Sequence, residues 1–368
     1  MAHNLVYFIR EKVLRMVERG SCRWKKAFYQ LLQAGLWERE VAENSIFPLQ
    51  DEEWVSVCKE SERQTVQGLL YRGIQHLPVS LAPPRECILR LMAQAAALEA
   101  TYQRLTEVTE QIRSLLREAN VEPMLIKGQS VAKYYAYPAL RVNGDIDWYM
   151  PEEMHFGELP AFLREKGFTP LIVADGSICF NYEDVDVELH SQLVDIFRPK
   201  SQRLLHNLIA EESAESPLLT LLLIATHILK HVCSVGLGWR QCCDMARAYH
   251  TLRDTYDTDK LRIFYKALGL SRWADLLHDL LVNYLDMPTE DLPFPLGKQD
   301  KEAHRLAANI ERWGNFGQHT AEWEKSKLHT VKQIMARLSF SMRYAPVETT
   351  YRIRQLICGQ KINEKQYE

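Results

Sequence analysis

The stretch from Glu86 to Asn120 contains neither glycine nor proline, and this constrains the fold more than any other feature. Its apolar residues recur every three or four positions, which places them on one face of an α-helix. Pro83 and Pro84 directly precede the stretch, where a helix can begin after them. The apolar positions are Ile88, Leu91, Ala95, Leu98, Tyr102, Leu105, Val108, Ile112 and Leu115. The pattern predicts one long amphipathic helix.

The pattern changes at Val121, where short apolar runs bounded by turn residues begin. Strands are predicted at 124–126, 145–150 and 168–173, helices at 131–137 and 160–166, and a hairpin at 178–182 and 185–189 around Glu183-Asp184. This order predicts a small α/β unit of about 80 residues.

Helical periodicity dominates on both sides of this unit. Before it, a helical stretch runs over residues 52–75 and is expected to break at Gly68 and Gly73. After it, helices return from Leu204, and the Pro-rich acidic loop at 286–297 predicts a joint between two helical parts. The fold class is therefore predicted to be α+β, with a small mixed-sheet core at 121–200 flanked by an N-terminal helical region at 1–120 and a C-terminal helical region at 201–368.

The composition is that of an ordinary globular protein, with 46% apolar residues, 25% charged residues and a net charge of −3. This charge gives no general attraction to membranes and no strong DNA-binding signal. Residues 10–26 are an exception, because seven Lys or Arg against two Glu give a net charge of +5. The segment is either a phosphate-binding face or the solvated side of an amphipathic helix, and we favour the helix.

The cysteines and apolar runs bear on localisation. The eight cysteines are scattered and form no C-x-x-C pair, a usage typical of reduced thiols in a cytosolic protein. The first ten residues lack the basic-then-apolar order of a signal peptide. The longest apolar run, Leu218 to Leu229, is too short to span a bilayer. A cytoplasmic protein without a membrane partner is expected.

Asp145 and Asp147 lie two residues apart on a predicted strand. Since side chains alternate along a strand, both acids point to one face, and Ile146 and Trp148 point to the other. Two neighbouring carboxylates repel each other unless a cation lies between them, and a divalent metal would meet that need. A pair of exposed acids on a sheet edge is the alternative.

The strand from Val185 to His190 has a second acidic face. Val185, Val187 and Leu189 alternate with Asp186, Glu188 and His190. If this strand neighbours the first, Glu188 can join Asp145 and Asp147 around one or two Mg²⁺ ions, which prefer oxygen ligands and keep positions open for substrate phosphates.

The segment Lys127-Gly128-Gln129-Ser130 follows a short strand and opens a predicted helix. The glycine allows the backbone to approach a ligand closely, and a helix N-terminus offers N–H groups to phosphate oxygens. Ser130 would add a hydroxyl donor and Lys127 a positive charge. A simple strand-to-helix turn explains the segment equally well when it is considered alone.

The order of these three elements resembles the nucleotidyltransferase superfamily that includes DNA polymerase beta. The sequence resembles more closely a bacterial family of uncharacterised nucleotidyltransferases over roughly residues 45–260. The upstream Trp-containing helix of that family resembles Trp54 to Leu77, and its downstream helix and acid resemble His227, His231 and Asp244. The central matching motifs are Ile126-Lys127-Gly128, Tyr134-Tyr135, Arg141, Asp145-Ile146-Asp147 and Glu188-Leu189-His190.

The resemblance implies a nucleotidyltransferase core and a role for each matched residue. Asp145 and Asp147 would bind metal, and Glu188 would complete the metal site and help deprotonate the attacking hydroxyl. The triphosphate would be held by Lys127, Gly128, Gln129 and Ser130, and Arg141 would neutralise phosphate charge or brace the carboxylates. The sequence departs from the superfamily pattern at Gln129, because Gly or Ser usually follows the turn glycine directly.

Several further residues are candidates for the substrate-facing side of the site. His190 would tune Glu188 or contact substrate, or else be a satisfied residue at the strand edge. His227 and His231 have a spacing that can bind zinc, but Ile228 stands where a zincin has glutamate, so a packed or substrate-facing helix is favoured. Arg240 and Asp244 would border the cleft or form a pair along one helix.

Two functions follow from these residues. The first is a metal-dependent nucleotidyltransferase that uses Mg²⁺ or Mn²⁺ to move a nucleoside monophosphate from a nucleoside triphosphate to an acceptor hydroxyl of protein, RNA or a small molecule, with release of pyrophosphate. The second is a catalytically inactive binding or regulatory protein with the same fold. Metal-dependent nucleotide binding and transfer separate the two.

Overall fold

The computed structural model describes residues 23–150, 156–173, 176–193, 196, 198–211, 216–233, 236–297, 300–315 and 335–358. Most of the basic segment at 10–26 lies outside these ranges. Two of its described residues bind other parts of the chain: Arg23 Nε donates to the Ile46 carbonyl over 2.8 Å, and Lys25 Nζ pairs with Glu311 at 2.8 Å.

The chain begins with helices, continues through a sheet and returns to helices. Before the sheet lie α1 (Arg23–Trp37), α2 (Asp51–Arg63), α3 (Gln67–Gln75) and α4 (Arg85–Glu118). The central part contains β1 (Met124–Ile126), α5 (Gly128–Ala132), β2 (Ile146–Tyr149), α6 (Leu159–Glu165), β3 (Leu171–Ile172), β4 (Ile178–Tyr182) and β5 (Val185–His190). After it come α7 (Pro199–Glu211), α8 (Pro217–Val232), α9 (Trp239–Leu252), α10 (Thr258–Leu268), α11 (Ser271–Leu285), α12 (Asp300–Trp313), α13 (Leu338–Tyr344) and α14 (Pro346–Cys358). The predicted α+β class is confirmed, as is the single long helix before the sheet.

The strands form one mixed sheet in the order β1-β2-β5-β4-β3. β2 and β5 are parallel neighbours at its centre, and the pairs β1–β2, β5–β4 and β4–β3 are antiparallel. The predicted hairpin is present, and its turn residues Glu183 and Asp184 have φ of 47° and 66°. These left-handed values suit the two-residue turn of a tightly twisted hairpin.

One face of the sheet is buried against α4 and α6. Ile146 and Trp148 of β2 and Val187 and Leu189 of β5 are at most 1% exposed, and they belong to one apolar cluster with residues of both helices. The side chains that contribute from α4 are Leu105, Val108, Ile112 and Leu116. Because side chains alternate, this packing turns the polar residues of β2 and β5 to the opposite face.

The helices before and after the sheet share a second apolar cluster. Leu31 of α1 and Leu70 of α3 belong to it together with Leu221 of α8 and Trp273 of α11. Hydrogen bonds cross the same interface: Gln33 Nε2 donates to the Tyr284 carbonyl over 2.9 Å, and Gln64 Nε2 donates to the Ile310 carbonyl over 3.0 Å. Helical segments far apart in sequence are therefore packed together.

Several predicted boundaries are wrong. The helix expected at 131–137 is the short α5, which starts at Gly128 and ends at Ala132, and the strand expected at 168–173 is reduced to Leu171–Ile172. The helical stretch at 52–75 breaks at residues 64–66, and both Gly68 and Gly73 lie inside α3. Those glycines allow close contact: a Cβ at Gly73 would lie 1.9 Å from the Leu31 carbonyl oxygen, and a Cβ at Gly68 would lie 2.0 Å from that of Leu140.

The cysteines whose side chains the structure describes form no disulfide bond with one another. Cysteine side chains described as free thiols are Cys58, Cys87, Cys179, Cys233, Cys242 and Cys243. None of the described helices combines the length and apolar character needed to cross a membrane.

Candidate active site

The acidic residues of β2 and β5 lie side by side on the open face of the sheet. The parallel register places Asp147 opposite Glu188. Asp147 is 4% exposed, Glu188 is half-buried, and Asp145 lies exposed just ahead of the first residue of β2. All three carboxylates line one cavity of 740 Å³. The predicted alternation of faces is therefore confirmed for β2 and β5, and Asp145 reaches the cavity from the end of the loop before β2.

Two basic side chains contact Asp147. Lys127 Nζ lies 2.5 Å from Asp147 Oδ1, and His190 Nε2 lies 2.7 Å from the same oxygen. Burial alone would raise the pKa of Asp147, but attraction to Lys127 and the contacts with His190 outweigh it and lower the pKa to about 2. This carboxylate is therefore ionised at neutral pH.

The other two carboxylates are less well compensated. Although Asp145 is partly exposed, the surrounding protein desolvates its carboxylate and raises its pKa, and repulsion from Asp147 adds to the rise. The same two causes, in the same order, raise the pKa of Glu188. Three neighbouring acids that lack sufficient positive charge form a site where a divalent cation would be stabilised.

His190 faces these acids in a defined orientation. Its Nδ1 lies 2.9 Å from Ser177 Oγ, which leaves Nε2 toward Asp147 and, at 3.5 Å, toward Glu188. An Nδ1–H donated to Ser177 would leave the Nε2 lone pair for a metal. Asp147, Glu188 and His190 each offer one ligand atom, and these atoms lie within 4.8 Å of one another.

The turn from Lys127 to Ser130 lies beside the carboxylates and is held by internal contacts. Lys127 has φ 55° and Gly128 has φ 24°. At Gly128 the lack of a Cβ allows a positive φ without strain. Ser130 Oγ donates to the Lys127 carbonyl over 2.6 Å. Gln129 binds α4, where its Oε1 accepts from Thr109 Oγ1 over 2.6 Å and its Nε2 donates to Thr106 Oγ1 over 3.2 Å. The unexpected glutamine thus fixes the turn to the long helix.

Arg141 forms a buried ion pair with Asp244. Its Nη2 lies 2.7 Å from Asp244 Oδ2, and its Nε lies 3.1 Å from Asp244 Oδ1. Tyr135 Oη donates to the same carboxylate over 2.7 Å, and Arg240 Nη1 donates to the Val142 carbonyl over 2.9 Å. The loop that leads to Asp145 is therefore tied to α9 by two arginines. Of the predicted site residues, Arg141 and Asp244 thus form an ion pair with each other, and Arg240 binds the loop backbone.

His227 and His231 line the wall of the cavity formed by α8. Their Nε2 atoms lie 3.0 Å apart, and their rings meet nearly at right angles, with centroids 4.3 Å apart. Lys230, Arg240 and Asp244 line the same cavity. The structure thus brings the histidines, Arg240, the turn and the carboxylates to one cavity.

The sequence did not single out four residues that shape this site. Ser177 orients His190, and the α4 threonines hold Gln129. These contacts join separate elements, so no local pattern indicates them. Lys230 lies between His227 and His231 in sequence, and its position three residues after His227 on a helix was a signal for a shared face.

Comparison with known proteins gives one result. A search of curated proteins and a search of solved structures returned no match. The family model described as uncharacterised nucleotidyltransferase matches residues 50–286, which include every site residue described above. The protein therefore belongs to this nucleotidyltransferase family.

Proposed function

We propose that this nucleotidyltransferase moves a nucleoside monophosphate from a nucleoside triphosphate to an acceptor hydroxyl and releases pyrophosphate. The observation that carries the proposal is the parallel pairing of Asp147 with Glu188, with Asp145 beside them at one cavity. In this reaction the acceptor oxygen bonds to the α-phosphorus, the bond from that phosphorus to the pyrophosphate oxygen breaks, and the hydroxyl proton is removed.

The side chains fit a divalent cation, Mg²⁺ or Mn²⁺. Asp147, Glu188 and His190 present ligand atoms within 4.8 Å of one another, and Asp145 adds a carboxylate at the same cavity. We assign the cation to Asp145, Asp147 and Glu188, with His190 as an additional ligand or a group that orients them. When bound, such a cation would neutralise phosphate charge and favour ionisation of the attacking hydroxyl.

The protein groups have separate roles in this proposal. Glu188 completes the metal site and helps to deprotonate the attacking hydroxyl. The turn Lys127–Ser130 lies next to the α-phosphate and contributes the Lys127 charge and the backbone at Gly128. Arg141 braces the loop before Asp145 through Asp244, which holds that carboxylate in place for in-line transfer.

Substitution of the paired acids tests the proposal. Asp147→Asn and Glu188→Gln should each reduce transfer from labelled ATP, GTP, CTP or UTP to an acceptor in cell extract by at least about a hundredfold. Asp186→Asn is the matched control, because Asp186 lies on the same strand with its side chain exposed, and it should retain activity. Transfer that survives both site substitutions would contradict the proposal.

A non-catalytic binding protein on this fold is the second candidate. It is favoured by the internal hydrogen bonds of Gln129 and Ser130 in the turn expected to hold the triphosphate. It predicts that calorimetry with Mg²⁺ or Mn²⁺ shows no affinity for any triphosphate and that no label moves to any acceptor. Product formation that depends on Asp147 would exclude it.

A further inference from the structure

One wall of the cavity is basic, and it is built largely by α8. Thr220, Ile224, His227 and His231 of this helix line the cavity at spacings of three or four residues, which places them on one helix face. Lys230 also lines the cavity from α8. Arg240, near the start of α9, extends the wall.

The two histidines of this wall share one hydrogen bond, and one of the two rings keeps a second N–H donor. Because their Nε2 atoms are 3.0 Å apart, one ring donates there and the other accepts. A neutral ring that accepts at Nε2 carries its proton on Nδ1, so one ring of the pair has an Nδ1–H in either arrangement. The Nδ1 of His227 is buried and has no hydrogen-bond partner among the described residues. Buried polar atoms of this kind are normally satisfied, so the pair has unused hydrogen-bonding capacity in a wall of the cavity.

Positive charge surrounds this histidine. Burial lowers the pKa of His227 well below its usual range, and His231, Lys127, Lys230 and Arg240 all lower it further. Burial also lowers the pKa of Arg240 to about 10, with repulsion from Arg141 as the next cause. Several basic groups that repel one another in a partly buried cavity favour a bound anion.

The cavity is lined by acidic and by basic groups that come from different elements. The carboxylates Asp145, Asp147 and Glu188 line the same cavity as the basic wall. The acids lie at β2 and β5, whereas His227, Lys230, His231 and Arg240 lie on α8 and α9. Consider a ligand whose reacting phosphate lies at the carboxylates and whose further phosphates extend toward α8. The negative charge of those further phosphates would meet the positive charge of the basic groups.

We propose that the basic wall formed by His227, Lys230, His231 and Arg240 binds the β- and γ-phosphates of the nucleoside triphosphate. The position of the α-phosphate in this assignment rests on the proposed function. The affinity of the wall for a polyphosphate does not depend on that function. The cavity volume of 740 Å³ lies within the range of small-molecule sites.

Zinc fits this wall less well than phosphate. A zinc site needs further His, Cys, Asp or Glu ligands, and within the described residues the cluster of three such groups is the one at Asp147, Glu188 and His190. The charges of Lys127, Lys230 and Arg240 around His227 would also repel a cation.

Binding of inorganic tripolyphosphate in the presence of EDTA tests the proposal without metal or catalysis. Calorimetry of the full-length protein should show binding that weakens as salt is raised. Lys230→Gln and His227→Asn should each weaken it by about tenfold, the effect of losing one charge-assisted hydrogen bond. Lys266→Gln removes the same charge from an exposed position on α10 outside the cavity, and it should leave the affinity unchanged.

Two further measurements separate the possible failures. Asp147→Asn should retain or strengthen tripolyphosphate binding while it abolishes nucleotidyl transfer, so loss of one property does not imply loss of the other. The ring nitrogen resonances of His227 and His231 should shift on addition of tripolyphosphate to the wild-type protein, which does not depend on any variant folding. Wild-type protein that fails to bind tripolyphosphate, or binding that Lys230→Gln and His227→Asn leave unchanged, would overturn the assignment.

Discussion

Three histidines show how the surroundings of one residue type decide what it does. His190 is oriented by Ser177 and contacts Asp147, so it lies among candidate metal ligands. His227 is surrounded by basic groups at the cavity wall. His278 is 0% exposed in the helical core, where its Nε2 lies 3.1 Å from Tyr249 Oη and its ring packs against Phe294. Only His278 has a purely structural environment.

His278 should make the stability of the fold dependent on pH. Burial lowers its pKa from the ordinary 6.5 to about 3. Between these values the unfolded chain binds the proton and the folded chain does not, so the free energy of unfolding falls as pH drops below 6.5. The loss approaches about 1.4 kcal/mol per pH unit well below that value.

Urea unfolding of the wild-type protein and of His278→Gln checks this prediction. Glutamine keeps a polar group near Tyr249 but does not titrate in this range. The variant should therefore lose less stability than the wild-type protein between about pH 6.5 and pH 5. Equal losses in the two proteins would show that His278 does not contribute to the pH dependence.

At the scale of elements, close helix contacts depend on glycines that the sequence pattern treats as helix breakers. A Cβ at Gly35 of α1 would lie 1.9 Å from the Leu69 carbonyl oxygen, and a Cβ at Gly73 of α3 would lie equally close to that of Leu31. The two helices are thus in backbone contact. Gly68 allows a similar approach of α3 to Leu140, which precedes the loop to Asp145.

Gly73→Ala should therefore destabilise the protein despite the higher helix propensity of alanine. The added methyl group meets backbone atoms that cannot move independently, and such overpacking costs about 1–3 kcal/mol or more. Gly144→Ala is the control, since a Cβ there meets nothing within 4 Å. Thermal unfolding should show a lower Tm for Gly73→Ala alone, and an unchanged or raised Tm would contradict the backbone contact.

At the scale of the whole molecule, the sheet is attached to the C-terminal helices by the buried pair Arg141–Asp244. Both residues are less than 9% exposed, and they are separated by 103 positions in sequence. The helices on either side of the sheet also share one apolar cluster. The division into three domains at residues 120 and 200 stays a prediction about folding units, and these contacts cross both of its boundaries.

Asp244→Asn should destabilise the whole fold, because it leaves the Arg141 guanidinium buried without its counter-charge. Removal of one partner of such a pair typically costs about 3–5 kcal/mol. Asp291→Asn provides a comparison, because its carboxylate is also buried but the side chains of its partners His250 and Arg253 are 37% and 51% exposed and can be solvated. Chemical unfolding should show the larger loss for Asp244→Asn, and an equal or smaller loss would argue against the pair as the main attachment.

Local sequence determined the long α4, the β4–β5 hairpin and the face on which Asp147 and Glu188 lie, because helix and strand periodicities are properties of neighbouring residues. The strand register that sets Asp147 opposite Glu188, and the contacts of Ser177 with His190 and of Arg141 with Asp244, were decided only by the tertiary structure. These contacts join segments that are far apart along the chain, so no local periodicity of the sequence indicates them. Their geometry follows from how the apolar faces of the sheet and helices pack, and that packing also brings the basic wall and the carboxylates to one cavity.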